Sequence, residues 1–199
     1  MFDQSLLQRV GAVCGFAVPC VAFGCIWAAI LFFPGFSWFY NALSDLGVAS
    51  GLSAPLFNFG LVVSGLLCFL FAVTGLFNYF RNDVVGRSGS VIFAAAAVWL
   101  AAIGVFNANF WPAHFIAAVL FFVTLPVAFL VMTAALYRRQ EVKLAVFTLV
   151  SSFAAAAPWI FYLVLRYAPN VAIPETISGL IGSFWIVVLS YRALKTAKL

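Results

Sequence analysis

Long apolar segments separated by short polar ones dominate this sequence. A helix needs about 20 apolar residues to cross roughly 30 Å of hydrocarbon. In lipid each backbone polar group must find its partner within its own segment, so such segments form helices. The pattern therefore predicts transmembrane α-helices. Six segments are long enough, at about residues 10–33, 55–79, 88–107, 113–136, 144–165 and 176–194.

Proline residues fall where such helices should begin or end. Pro34 follows the first segment, while Pro55, Pro112 and Pro174 lie at the starts of the second, fourth and sixth. Proline is favoured in the first turn of a helix, where its missing N–H costs nothing. Inside a helix it predicts a kink. Three prolines lie inside the segments: Pro19, Pro126 and Pro158.

Composition excludes a soluble protein. Hydrophobic residues make up 66% of the 199 residues and charged residues only 8%, against about 25% charged in globular proteins. The net charge of +5 does not indicate nucleic acid, because no basic patch is interleaved with exposed aromatic residues. The four cysteines lie within apolar segments and form no close pair of the kind that metal or redox motifs need. We therefore expect no metal, no cofactor and no nucleic-acid partner.

The connections between the segments alternate sharply in charge. Of the ten basic residues only Arg166 falls on one side of the membrane, and the other nine share the opposite side. The positive-inside rule therefore predicts a multi-pass protein of the cell membrane with both termini in the cytoplasm. The fold class is an all-α membrane protein, a bundle of six transmembrane helices in a single domain over residues 1–199. The nine are Arg9, Arg81, Arg87, Arg138, Arg139, Lys143, Arg192, Lys195 and Lys198.

The sparse polar residues of the opposite, outer side are the candidate functional groups. Asp45 is the one acidic or basic residue between Arg9 and Arg81, and it lies in the turn after the first segment. Charges kept in so apolar a chain often mark a functional site. The other candidates on this side are Asn41, Ser44, Asn107, His114, Arg166 and Glu175.

Each of these residues also has a structural interpretation. Asp45 is an ordinary turn former or helix cap, and His114 can donate to a backbone carbonyl. Arg166 and Glu175 suit the dipoles of the helix ends at which they lie.

The functional hypothesis is that these groups meet in one polar pocket at the outer face. Asp45 and His114 would then act as an acid–base pair, since an unperturbed imidazole titrates near neutrality. We expect the pocket to bind its substrate through Ser44, Asn41, Asn107, Arg166 and Glu175.

Three short motifs carry a resemblance to a known family. Ser44-Asp45-Leu46-Gly47 follows the first segment, Gly104-Val105-Phe106 ends the third, and His114 opens the fourth. In these features the chain resembles the six-helix prokaryotic membrane proteins grouped as domain of unknown function 998. Members often have proline after the Gly-x-Phe element, where this chain has Asn107. The resemblance implies that Asp45 and His114 matter to the family, and it supplies no activity.

Three classes of function fit the sequence. The first is a non-catalytic module or accessory subunit that binds membrane lipids or other membrane protein subunits at its outer face. The second is a membrane-embedded lipid hydrolase or transferase that uses Asp45 and His114, with Arg166 holding an anionic headgroup. The third is a small transporter or channel, which the lack of charges at mid-depth disfavours. The sequence leaves open whether the protein is an enzyme.

Overall fold

The structure, a computed structural model, describes residues 4–197 and contains six long helices. Each is long and apolar enough to cross a membrane, and no strand occurs in the described range. The prediction of an all-α chain with six spans is confirmed to that extent, while the cytoplasmic location of the termini stays a prediction. The helices are α1 (Gln4–Leu31), α2 (Ser53–Tyr79), α3 (Val84–Val105), α4 (Ala113–Arg138), α5 (Val142–Leu165) and α6 (Ala172–Thr196).

Local signals explain several of the helix ends. The Asp83 carboxylate accepts a hydrogen bond from the Gly86 N–H at 2.9 Å and so caps the start of α3. Arg166 ends α5 in a left-handed conformation with a φ of 48°. The three internal prolines lie inside α1, α4 and α5, as predicted from the sequence.

The helices form a closed ring. Each one packs mainly against the helices before and after it in the chain, and α6 packs back against α1. Helices α1 and α2 can approach each other closely because glycine lies at their contact: a Cβ atom on Gly11 would overlap the backbone of Gly75. Gly75 belongs to a π-helical section of α2, Phe71–Leu76.

The two ends of the ring differ. The terminal end carries residues 4 and 197 and the turns at 80–83 and 139–141, and the loop end carries the connections at 32–52, 106–112 and 166–171. Large aromatic side chains fill the centre towards the terminal end. Trp185 stacks on Phe129 with ring centroids 4.1 Å apart, and Phe93 lies 5.4 Å from Trp185. The Trp185 indole N–H donates to the Thr148 hydroxyl at 3.1 Å.

Candidate functional site

A central cavity of about 100 Å³ lies between this aromatic cluster and the loop end. Phe93, Leu125 and Ile186 form its floor, and its walls come from α1, α2, α3, α4 and α6. Nearly all of the lining is apolar. Apart from Ser183 on α6, the oxygen- and nitrogen-bearing side chains of the lining lie where the cavity reaches the loop end. They are Ser44, His114 and Glu175.

Glu175 lies in the first turn of α6 and holds the first connection in place. Its Oε2 accepts a hydrogen bond from the Leu43 backbone N–H at 2.7 Å. The Ala172 N–H donates to the Asn41 carbonyl at 3.1 Å, which ties the start of α6 to the same connection. These bonds join residues more than 130 positions apart. They place Ser44, the residue after Leu43, at the cavity.

The Asp45 carboxylate accepts hydrogen bonds from residues of its own turn. Its Oδ2 accepts from the Asn41 side-chain amide at 2.9 Å and from the Ala42 N–H at 3.0 Å. These bonds stabilise the start of a short 3-10 helix, Leu43–Val48. Asp45 and Glu175 therefore bind the N–H groups of consecutive residues, but only Glu175 lines the cavity.

One ring nitrogen of His114 forms a hydrogen bond within the protein. Its Nδ1 lies 2.7 Å from the Phe106 carbonyl oxygen. Because a carbonyl can only accept, this contact assigns the hydrogen to Nδ1 and leaves Nε2 of the neutral ring as an acceptor. The side chain lines the cavity, so it can present a hydrogen-bonding group to a bound molecule.

The two remaining predicted residues lie outside the cavity lining. The Asn107 side chain accepts from the Asn109 N–H at 3.2 Å within the turn between α3 and α4. Arg166 is exposed, and its guanidinium carbon lies 5.6 Å from the centre of the Tyr162 ring. The structure therefore brings Ser44, His114 and Glu175 to one space. It uses Asn41 and Asp45 to shape the adjoining turn, and it places Asn107 and Arg166 elsewhere.

Sequence reasoning missed a charged cluster at the terminal end, centred on Glu141. This carboxylate accepts from the Tyr79 hydroxyl and from Arg192, both at 2.6 Å, and pairs with Arg139 at 3.2 Å. Arg139 also donates to the Tyr79 carbonyl at 2.6 Å. The available signal was a lone acidic residue among the basic residues of its turn.

Competing effects set the pKa of Glu141. Burial raises it, but the hydrogen bonds from Arg192 and Tyr79 and the charges of Arg139 and Arg192 outweigh burial and hold the pKa below its ordinary range. The cluster connects the end of α2, the turn before α5 and the last turns of α6. Over residues 4–197, no group of three or more histidine, cysteine, aspartate or glutamate residues is placed to hold a metal ion.

Comparison with known proteins gives one match. A family model described as protein of unknown function (DUF998) matches residues 6–192. The match confirms the family resemblance read from the Ser44–Gly47, Gly104–Phe106 and His114 motifs, and it covers all six helices nearly completely. No curated protein and no solved structure matches the chain.

Proposed function

We propose a function for this chain, which belongs to the DUF998 family of proteins of unknown function. It is a non-catalytic binding module that holds a membrane amphiphile, with hydrocarbon in the central cavity and a polar group beside Ser44, His114 and Glu175. In the cell membrane, the basic terminal end faces the cytoplasm by the positive-inside rule. The binding site then opens towards the outer leaflet.

The observation that carries the proposal is the division of the cavity into an apolar body and a polar end. Ligand sites typically combine mostly apolar walls with a few convergent polar groups. Here the body is lined by side chains such as Ile26, Leu61 and Phe121, while the polar groups come from the first connection, α4 and α6. Such a division suits a molecule that has a hydrocarbon part and a polar part.

The choice between lipid and water as the occupant also follows from the lining. A buried water needs two to four polar partners, and apolar cavities of about 150 Å³ stay dry and take up hydrocarbon. Most of this cavity offers no such partners. Hydrocarbon is therefore the favoured occupant of its body, and water or a headgroup is the favoured occupant of its polar end.

The test fills the cavity. Ala118 of α4 lines it, whereas the next residue, Val119, is 44% exposed on the outside of the ring. We expect Ala118→Phe to abolish retention of lipid when the protein is purified in mild detergent, and Val119→Phe to retain it. Native mass spectrometry measures the bound lipid, and gel filtration with circular dichroism checks that both variants fold. Equal lipid retention in the two folded variants would contradict the proposal.

A second candidate is a lipid hydrolase or transferase, because a hydroxyl, an imidazole and a carboxylate line the same cavity. In this version Ser44 or water attacks an ester group of the lipid, and Nε2 of His114 takes the proton of the attacking hydroxyl. The ester bond then breaks, and His114 returns the proton to the departing alcohol. Asp45 is a weaker partner for His114 than the sequence suggested, since its Oδ2 accepts two hydrogen bonds within its own turn. Incubation of the wild type with radiolabelled phospholipid separates the candidates: turnover of the lipid that is lost in His114→Ala would support the enzyme, and no turnover by the wild type would support the binding module.

A further inference from the structure

A second space lies against the central cavity on the outside of the ring. It is a groove of about 420 Å³ between α1 and α6. On α1 it is lined by Pro19, Phe23 and Trp27, and on α6 by residues that include Leu180 and Phe184. Trp27 is 56% exposed and Phe184 63% exposed, so the groove faces the surroundings of the ring, between two helices that are long and apolar enough to span a membrane.

The cavity and the groove share two lining residues, Phe23 and Ser183. Where the cavity meets the groove, the α6 residue that faces Phe23 is Gly179, which has no side chain. A Cβ atom on Gly179 would lie 3.4 Å from Cζ of Phe23, so the Phe23 ring fills the gap beside it. The partition between the cavity and the groove is therefore the Phe23 ring, on a side chain with two rotatable bonds, beside the small side chain of Ser183.

Next to the groove, the contact between α1 and α6 is tight. Further towards the terminal end, a Cβ atom on Gly15 would overlap the Ser190 hydroxyl, so the two helices lie close together there. The groove begins at Pro19, where the ring of proline interrupts the helical hydrogen bonding of α1. The opening is thus confined to the loop-end half of the helix pair, at the same depth as the cavity.

Size decides how a lipid can occupy these spaces. A cavity of about 150 Å³ takes up one benzene molecule, so the central cavity of about 100 Å³ cannot hold a whole acyl chain. Joined to the groove of about 420 Å³, it can hold the end of a chain whose remainder lies along the outside of α1 and α6. A lipid bound as proposed must therefore extend through the Phe23 position.

We propose that the ligand reaches the cavity from within the membrane, through the opening between α1 and α6 at Phe23, and that its hydrocarbon chain occupies the groove and the cavity together. This inference rests on the proposed binding function and adds the class of ligand. The ligand is a membrane-resident single-chain or multi-chain amphiphile of the leaflet at the loop end, and a water-soluble solute does not qualify.

The experiment uses the full chain in phosphatidylcholine vesicles and a lysophosphatidylcholine that carries a diazirine at the end of its acyl chain. The probe is added, the sample is irradiated after increasing times, and adducts are mapped by mass spectrometry. We expect adducts on both the groove and the cavity lining. Glycerophosphocholine, which has the same headgroup and no chain, should not compete.

Two phenylalanine-to-alanine variants provide the matched comparison. Phe23→Ala removes the ring that separates the two spaces, whereas Phe153→Ala removes a ring of α5 that is 64% exposed and lines neither the cavity nor the groove. We expect Phe23→Ala to speed cavity labelling by about tenfold or more, the factor that about 1.4 kcal/mol of barrier carries, and Phe153→Ala to label at the wild-type rate. If Phe23→Ala does not fold, Ser183→Leu tests the same point, and we expect it to slow labelling by a similar factor.

The outcomes separate the two proposals. Cavity adducts that form at equal rates in the wild type and both variants, or full competition by glycerophosphocholine, would overturn the membrane route and leave the binding function standing. The absence of cavity adducts from every folded protein would overturn the binding function, and the route with it. Labelling of groove and cavity with acceleration confined to Phe23→Ala supports both.

Discussion

Replacement of Glu141 by glutamine tests the cluster at the terminal end. The substitution keeps the size of the side chain and removes its charge. Oε2 of the wild-type carboxylate serves both Tyr79 and Arg192, and Oε1 pairs with Arg139. An amide retains one acceptor oxygen and turns an NH₂ group towards these donors. The ends of α2 and α6 and the turn before α5 then lose part of their connection.

The magnitude follows from the hydrogen bonds that the charge assists. A bond to a charged group contributes about 1.5–3 kcal/mol when it is shielded, and exposure reduces that value. The Glu141 side chain is 16% exposed, whereas those of Arg139 and Arg192 are 31% and 37% exposed. We therefore expect a loss of about 2 kcal/mol in the free energy of unfolding. For a chain of this length, that corresponds to a fall of about 4–8 °C in the melting temperature.

Thermal unfolding in detergent, followed by tryptophan fluorescence, measures the effect. Arg138→Gln is the matched control, because it also removes one charge from the same turn and Arg138 is exposed. Its expected change is within about 0.5 kcal/mol, as for most surface substitutions. Equal shifts in the two variants would refute the view that the Glu141 cluster stabilises the ring.

The pH dependence gives an independent check. The pKa of Glu141 is lowered in the folded protein, so the unfolded chain binds its proton more readily than the folded one. The stabilisation is therefore complete at neutral pH and is lost as the pH falls below about 5. Glutamine does not titrate, so the difference in melting temperature between wild type and Glu141→Gln should shrink over that range. A constant difference would contradict the assignment.

Three further predictions concern packing and the first connection. Trp185→Ala should cost about 3–5 kcal/mol, because the indole is fully buried, while Phe184→Ala beside it should be nearly neutral in the same melting assay. Gly11→Ala should lower stability by about 1–3 kcal/mol through forced separation of α1 and α2, whereas Gly24→Ala, which meets open space, should not. Asp45→Ala should cost about 1 kcal/mol through the loss of its cap, and Asp45→Asn should cost less, as measured by resistance of the first connection to limited proteolysis.

Helix number was predictable because the length of an apolar segment is itself the physical requirement for a span. Helix ends were less predictable. Helix α1 begins by residue 4 rather than at about residue 10, because its polar first turns find partners on α6. The Gln8 amide donates to the Ala193 carbonyl at 2.8 Å, and Arg9 donates to the Ala197 carbonyl at 3.3 Å. Such contacts between distant parts of the chain leave no local pattern.

The same limit applies to the candidate site. The sequence indicated that Ser44, His114 and Glu175 share one side of the membrane, because charge and span boundaries set that property. Which of them face a common space depends on the order of helices around the ring and on the rotation of each helix. Asp45 illustrates the difference: its isolation in the sequence suggested chemistry, and its Oδ2 is engaged by Asn41 and Ala42. Glu141 is the opposite case: sequence reasoning passed it over, and the structure places it at the centre of a charged cluster.

Ring closure between α1 and α6 has a consequence for biosynthesis. The chain leaves the ribosome from its N-terminus, so α1 is made long before α6. One flank of α1 has no partner until α6 has been made. The Asn41 carbonyl and the Leu43 N–H likewise lack their partners until residues beyond 171 have been made. Until then there is an open arc of helices and no enclosed chamber. The chamber therefore cannot close before α6 has been synthesised, and a nascent chain stalled before α6 would have no enclosed space to hold a bound molecule.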